Sequence, residues 1–194
     1  MARFRSVAAV RISGVAGVAG GLAWAALPVL WFVTGAGASV LGHGALDALA
    51  PATFALALAG VAGYRARAAD AWGLPTTAGF GAFAGGLVTG LAGSVAYLAG
   101  GLLAGWTLSV WGSVLALVGA TVFGAGLLVD GARPRVGAVL LAATLPVGVP
   151  ASLALAVSGV VGDEAIVPVG PGVLLGLGVV ALGRWVWTDD SETA

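Results

Sequence analysis

Residues 71–129 read AWGLPTTAGFGAFAGGLVTGLAGSVAYLAGGLLAGWTLSVWGSVLALVGATVFGAGLLV, and none of these 59 positions carries a charge. A helix rises about 1.5 Å per residue and needs about 20 mostly apolar residues to cross the hydrocarbon of a bilayer. The stretch is too long for one crossing and too short for three with their connections. Two helices fit. Their break belongs near Gly100, Gly101 and Gly105, because clustered glycine weakens a helix and the adjacent Trp106 prefers a membrane interface. The two spans are placed at 77–99 and 106–129.

The same reasoning works outward. Between Arg11 and Asp47 lie 35 uncharged residues, enough for one span at 12–34 followed by a small-residue loop at 35–44. Between Asp47 and Arg65 lie 17, a short span at 48–64 whose charged ends can rest at the two interfaces. After Arg135 a fifth span is placed at 136–160, kinked because Pro146 and Pro150 each remove a backbone hydrogen bond. A sixth runs over 169–187, and 188–194 form a polar tail. The expected fold is all-α: a polytopic transmembrane helical bundle, with one membrane domain over 1–187 and six spans.

Charge parity checks the count. Loops retained in the cytoplasm carry the excess of basic residues. With six spans all eight arginines fall on one side: Arg3, Arg5 and Arg11, then Arg65 and Arg67, then Arg133 and Arg135, then Arg184. The other side receives His43, Asp47, Asp163 and Glu164. One or three helices in 71–129 would move Arg133 and Arg135 across and destroy the asymmetry. Both termini are therefore expected in the cytoplasm. A cleaved secretory signal is the competing reading of the N-terminus, but its apolar core would be about 7–15 residues, shorter than this first run.

Composition agrees with a lipid environment. The chain has 194 residues, 60% of them apolar and 8% charged, with zero net charge; its mean hydropathy is +1.09. There is no cysteine, which removes disulfides, thiolate metal sites and cysteine nucleophiles. With no contiguous basic stretch, nucleic acid is not an expected partner. Basic residues are all arginine, in a sequence rich in Ala, Gly and Val, the usage of a GC-rich prokaryotic genome. The expected location is a prokaryotic plasma membrane.

The 34 glycines carry the packing information. In lipid no hydrophobic force drives helices together, so close backbone approach at small residues takes its place. Gly86, Gly90 and Ser94 form a four-residue stripe on the third span, with Gly81 and Gly85 on a neighbouring stripe; Gly17 and Gly21, and Gly172 and Gly176, repeat the spacing on spans one and six. The bilayer is the first expected partner, and packing within the chain is favoured over a second copy or another membrane protein at these faces. Ala19-Gly20-Gly21-Leu22 and Ala84-Gly85-Gly86-Leu87 hint at an internal repeat without establishing one.

Reactive constellations are few. One histidine cannot assemble a zinc site, no serine stands in a nucleophile elbow, and the glycine-rich runs lack the lysine of a phosphate loop. No metal or cofactor is expected. His43 and Asp47, four residues apart, would share a helix face and could form a proton relay or a weak cation site. The plainer reading is a polar helix entry in which Asp47 meets the amides of the first turn, and it is preferred. Arg184, a turn from the end of its span, reads as a snorkelling residue.

The inner turn Ala62-Gly63-Tyr64-Arg65-Ala66-Arg67, the turn Asp130-Gly131-Ala132-Arg133-Pro134-Arg135 and the closing Leu182-Gly183-Arg184-Trp185-Val186-Trp187 give the chain its outline. In these and its Arg-led first span it resembles a broad set of small six-span membrane proteins of actinobacteria, other GC-rich bacteria and haloarchaea. That resemblance implies six membrane helices and carries no activity or site residue.

Three functions compete. The leading expectation is a non-enzymatic accessory, structural or regulatory membrane component. A small permease or channel is the second, with Thr89, Ser94, Ser109, Ser113 and Thr121 as path-lining hydroxyls. A lipid-modifying enzyme is third, resting on Asp70 beside Arg65 and Arg67.

Overall fold

A computed structural model describes residues 7–35, 43–158 and 169–188. In chain order they form α1 (Val7–Gly35), α2 (His43–Ala68), a single 3-10 turn (Ala69–Ala71), α3 (Leu74–Gly100), α4 (Leu103–Val129), α5 (Arg135–Ala142), α6 (Gly148–Val157) and α7 (Val169–Thr188). No strand occurs among the described residues. Five helices, α1 to α4 and α7, are long and apolar enough to cross a membrane. Their outward faces carry Val15, Leu22, Val88, Val95, Trp111 and Val118, the surface expected of helices solvated by lipid.

The uncharged stretch 71–129 contains two helices, and the reversal between them is tighter than the glycine cluster implies. Gly101 alone turns the chain, at φ 61°, with its N–H donating to the Tyr97 carbonyl at 2.8 Å. That is a left-handed cap which glycine adopts without steric cost. Gly105 and Trp106 consequently already belong to the first turns of α4.

The fifth predicted span differs most from expectation. In place of one kinked helix at 136–160 there are two short helices, α5 and α6, joined by turns over 143–147. Pro146 has no N–H to offer the Ala142 carbonyl, so the regular ladder is interrupted there. Past the break the Gly148 N–H reaches back five residues to the Ala143 carbonyl at 3.2 Å. Both halves nevertheless run antiparallel to α7. Gly137 lies against Leu182, Gly178 against Leu141, and Gly148 against Pro171; the Gly170 N–H donates to the Ser152 hydroxyl at 2.7 Å.

The closest helix pair is α3 with α4. From α3 come Thr76, Gly79, Phe83, Gly86, Gly90, Gly93 and Tyr97, and they meet Gly126, Phe123, Gly119, Ala116, Gly112, Ser109 and Gly105 of α4 in turn. Steps of three and four alternate along both helices, which is a seven-residue repeat with a period of 3.5, the periodicity of a left-handed antiparallel coil. A Cβ added at Gly79, Gly86, Gly93, Gly112 or Gly119 would run into the partner's backbone. Of the four-residue stripe read from sequence, Gly86 faces the Ala116 backbone and Gly90 is covered by Gly112 and the Phe54 ring, while Ser94 is buried and lines a space shared with Ser109 and Ser113 of α4. Gly81 and Gly85 have nothing within 4 Å of an added Cβ.

Glycine contacts also join α1 to its neighbours. Gly14 and Gly21 meet Gly183 and Gly176 of α7, while Gly17 and Gly20 meet Gly60 and Ala57 of α2. Helix directions and these contacts gather all six described arginines, Arg11, Arg65, Arg67, Arg133, Arg135 and Arg184, at one end of the bundle. This is the Arg end; Asp47, near the start of α2, marks the other.

Candidate functional site

At the Arg end the interior is filled by rings. Tyr64 is fully buried, with ring centroids 5.5 Å from Trp185, 6.1 Å from Trp72 and 6.2 Å from Phe123; Trp72 and Phe80 lie 5.3 Å and 5.8 Å from Phe123. The Tyr64 hydroxyl donates to the Arg133 carbonyl at 2.7 Å. Arg67 donates to the Val186 carbonyl at 2.9 Å and lies over the Trp185 ring, and Arg65 lies over Phe80. These arginines cap a carbonyl and stack on aromatics, which suits a guanidinium. Asp70, considered with them as an acid–base group, is exposed on the 3-10 turn.

Asp130, one residue past α4, does for α3 what no residue of α3 does for itself. Its Oδ2 accepts the Gly73 N–H at 2.8 Å and the Thr76 hydroxyl at 2.5 Å. The cap residue of α3 is Gly73, which has no side chain to offer, so the carboxylate arrives from the neighbouring helix. The Thr76 hydroxyl and then the Gly73 amide favour the charged form and hold the Asp130 carboxyl below its ordinary range, against a smaller opposing effect of desolvation. Neither the Tyr64 nor the Asp130 contact was legible as a site in the sequence; both join residues more than fifty positions apart.

The other end of the molecule holds open space. A cavity of about 200 Å³ lies between α1, α2, α4 and α7, with Trp24, Pro28, Phe54 and Leu117 on its apolar walls and Thr53, Ser109 and Ser113 among its polar atoms. Trp24 and Phe54 meet edge to face at 4.9 Å along one wall. A second space of about 130 Å³ shares Ala50, Ser109 and Ser113 with the first and adds Asp47, Ser94, Tyr97 and Trp106. The shared residues make the two spaces neighbours: a mouth chamber at the Asp47 end and a deep chamber below it. Ser113 lies about 15 Å along α4 from the helix start, so the deep chamber reaches well into the apolar layer.

The hydroxyls around the chambers are mostly engaged as donors. Thr53 donates to the Leu49 carbonyl, Ser94 to Leu91 and Ser113 to Ser109, each at 3.0 Å. This back-bonding satisfies the hydroxyl proton and leaves the oxygen lone pairs able to accept. Of the five hydroxyls considered as path-lining, Ser94, Ser109 and Ser113 line a chamber; Thr121 back-bonds to Leu117 and, with Thr89, lines neither. Asp47 faces the mouth chamber, while the His43 side chain lies outside the described residues. Among the described residues no three His, Asp or Glu converge as metal ligands.

No family model, no curated protein and no solved structure matches this chain. The described residues form an all-α bundle of apolar helices suited to a membrane, packed with rings at one end and open at the other.

Proposed function

We propose that the protein is a six-span component of a prokaryotic plasma membrane, with the Arg end in the cytoplasm, acting as a non-enzymatic accessory or regulatory subunit. The sixth crossing rests on α7. Its last turns pack beside Arg67 and Tyr64 at the Arg end, and α4 also finishes there. That favours a return of the chain to the far end between them, of which α5 with α6 is the described part. The one-sided arginines supply the orientation.

The observation favouring an accessory role is how the membrane-depth hydroxyls are used: Thr53, Ser94, Ser113 and Thr121 donate to their own helices, and Thr144, in the turn after α5, donates back to Leu140. They serve the fold. A second reading, a small permease, is favoured by the chambers, because Ser94, Ser109 and Ser113 line them.

Reporter fusions test the first part. Fusions after Arg67, after Arg135 and at the C-terminus should report cytoplasm, and fusions near Gly44, Gly101 and Asp163 the outside. A cytoplasmic signal at Gly101, or an external one at the C-terminus, removes the six-span reading. Solute flux in vesicles separates the two roles: uptake above protein-free vesicles would replace the accessory reading with the permease.

A further inference from the structure

The two chambers differ in character along one line. The mouth has the carboxylate of Asp47 with the aromatic rings of Tyr97 and Trp106. Carboxylate and ring faces both favour positive charge, and they do so more strongly where water is partly excluded. Below them, Ser94, Thr53 and Ser113 have committed their hydroxyl protons to helix carbonyls, so toward the space they accept hydrogen bonds. A ligand rich in donors fits this wall, and an anion does not. Deeper still, Trp24, Phe54 and Leu117 present apolar surface around about 200 Å³. An apolar cavity of about 150 Å³ is enough to hold a benzene ring.

We infer that the two chambers form one binding site for a small organic cation, its ammonium group held at Asp47, Tyr97 and Trp106 and an apolar body of about one ring seated between Trp24, Phe54 and Leu117. The serine oxygens of the shared wall accept the ammonium protons. The site needs only the fold, so it stands whichever cellular role the protein has, and it is measured in detergent without any flux.

The experiment uses the full chain purified in detergent and three soluble probes of similar shape: 2-phenylethylammonium, 2-phenylethanol and 3-phenylpropionate. Calorimetric titration should give the ammonium an affinity about tenfold or more above the alcohol, with the carboxylate weakest. Asp47→Asn should bring the ammonium to the level of the alcohol. Ser113→Phe, which fills the shared wall, should abolish binding of all three. Equal binding of the three probes by the unaltered protein means partition into apolar surface and overturns the proposal. So does tightest binding of the carboxylate, absence of any binding, an ammonium preference that survives Asp47→Asn, or binding that survives Ser113→Phe. Should Asp47→Asn fail to fold, the order of the three probes on the unaltered protein and their loss in Ser113→Phe decide the matter.

Discussion

Helix α4 meets α3 and α2 in opposite ways. Toward α3 it offers Gly105, Gly112, Gly119 and Gly126, and α3 answers in register with Tyr97, Gly90, Phe83 and Thr76, so the two backbones close with no room for a Cβ at the glycines. Toward α2 it offers Ser109, Ser113 and Leu117, and α2 answers with Ala50, Thr53 and Phe54, across a cavity. Both faces are rich in small residues. Smallness alone therefore does not pack helices: it does so where both partners repeat it with the same period, and elsewhere it leaves a hole. At the Arg end the rings of Tyr64 and Phe123 bridge α2 and α4; at the Asp47 end the described residues of these two helices line open space instead.

The largest effect should come from breaking the seam. Gly86→Leu or Gly112→Leu drives a branched side chain into the facing backbone, at Ala116 or at Gly90. The expected loss is about 1–3 kcal/mol, because the interior cannot shift one helix without opening the whole repeat. Gly81→Leu, at a position with open space around it, should change unfolding in detergent by far less. Equal shifts at all three positions would mean that the seven-residue repeat is not the contact surface and that the contrast between the two faces of α4 is unfounded.

A smaller effect tests how α2 is fastened where it does approach α4. Tyr64→Phe keeps the ring contacts with Trp72, Phe123 and Trp185 and removes only the donor to the Arg133 carbonyl. A lost hydrogen bond that strands a partly buried carbonyl costs about 1–2 kcal/mol. The accompanying sign should be faster amide exchange in the turn over 130–134. Unchanged stability with unchanged exchange would mean that ring packing alone joins the two helices at this end.

These comparisons also show what the sequence makes legible. The pair of helices in 71–129 follows from charge spacing, because a charge in hydrocarbon is costly enough to leave a gap wherever a span lies. Two prolines made a break in the fifth stretch foreseeable, but not that turns over 143–147 would divide it into separate helices. The glycine stripes were visible, but the period that two helices share was not. A four-residue spacing selects Gly86, Gly90 and Ser94, whereas Gly79, Gly86 and Gly93, set against Gly105, Gly112, Gly119 and Gly126, mark the repeat shared by both helices. Ser109 and Ser113 were visible as hydroxyls, but the space beside them depends on what α2 fails to fill, and only the folded chain contains that information. The tie from Asp130 to Gly73 and Thr76 was hidden for the same reason.

That tie supplies the smallest and most selective test, since it fastens the end of the seam without taking part in its packing. Thr76 and Gly73 depress the Asp130 carboxyl in the folded state. A group depressed on folding stabilises the fold above its unfolded value, about 3.9 for an aspartate, and loses that contribution as pH falls through the lower folded value. The melting temperature should therefore be insensitive to this group between neutral pH and about pH 5, then decline on further acidification. Asp130→Asn retains an oxygen that can accept from Thr76 but carries no charge, so it should melt slightly lower at neutral pH and decline less steeply in acid. Every other group is common to both proteins, which leaves the difference between the two curves to Asp130. The difference should be small, because water screens a carboxylate at the end of a helix. Parallel curves across the acid range would show that the charge contributes nothing, and that the α3–α4 seam is held closed at the Arg end by its glycines alone.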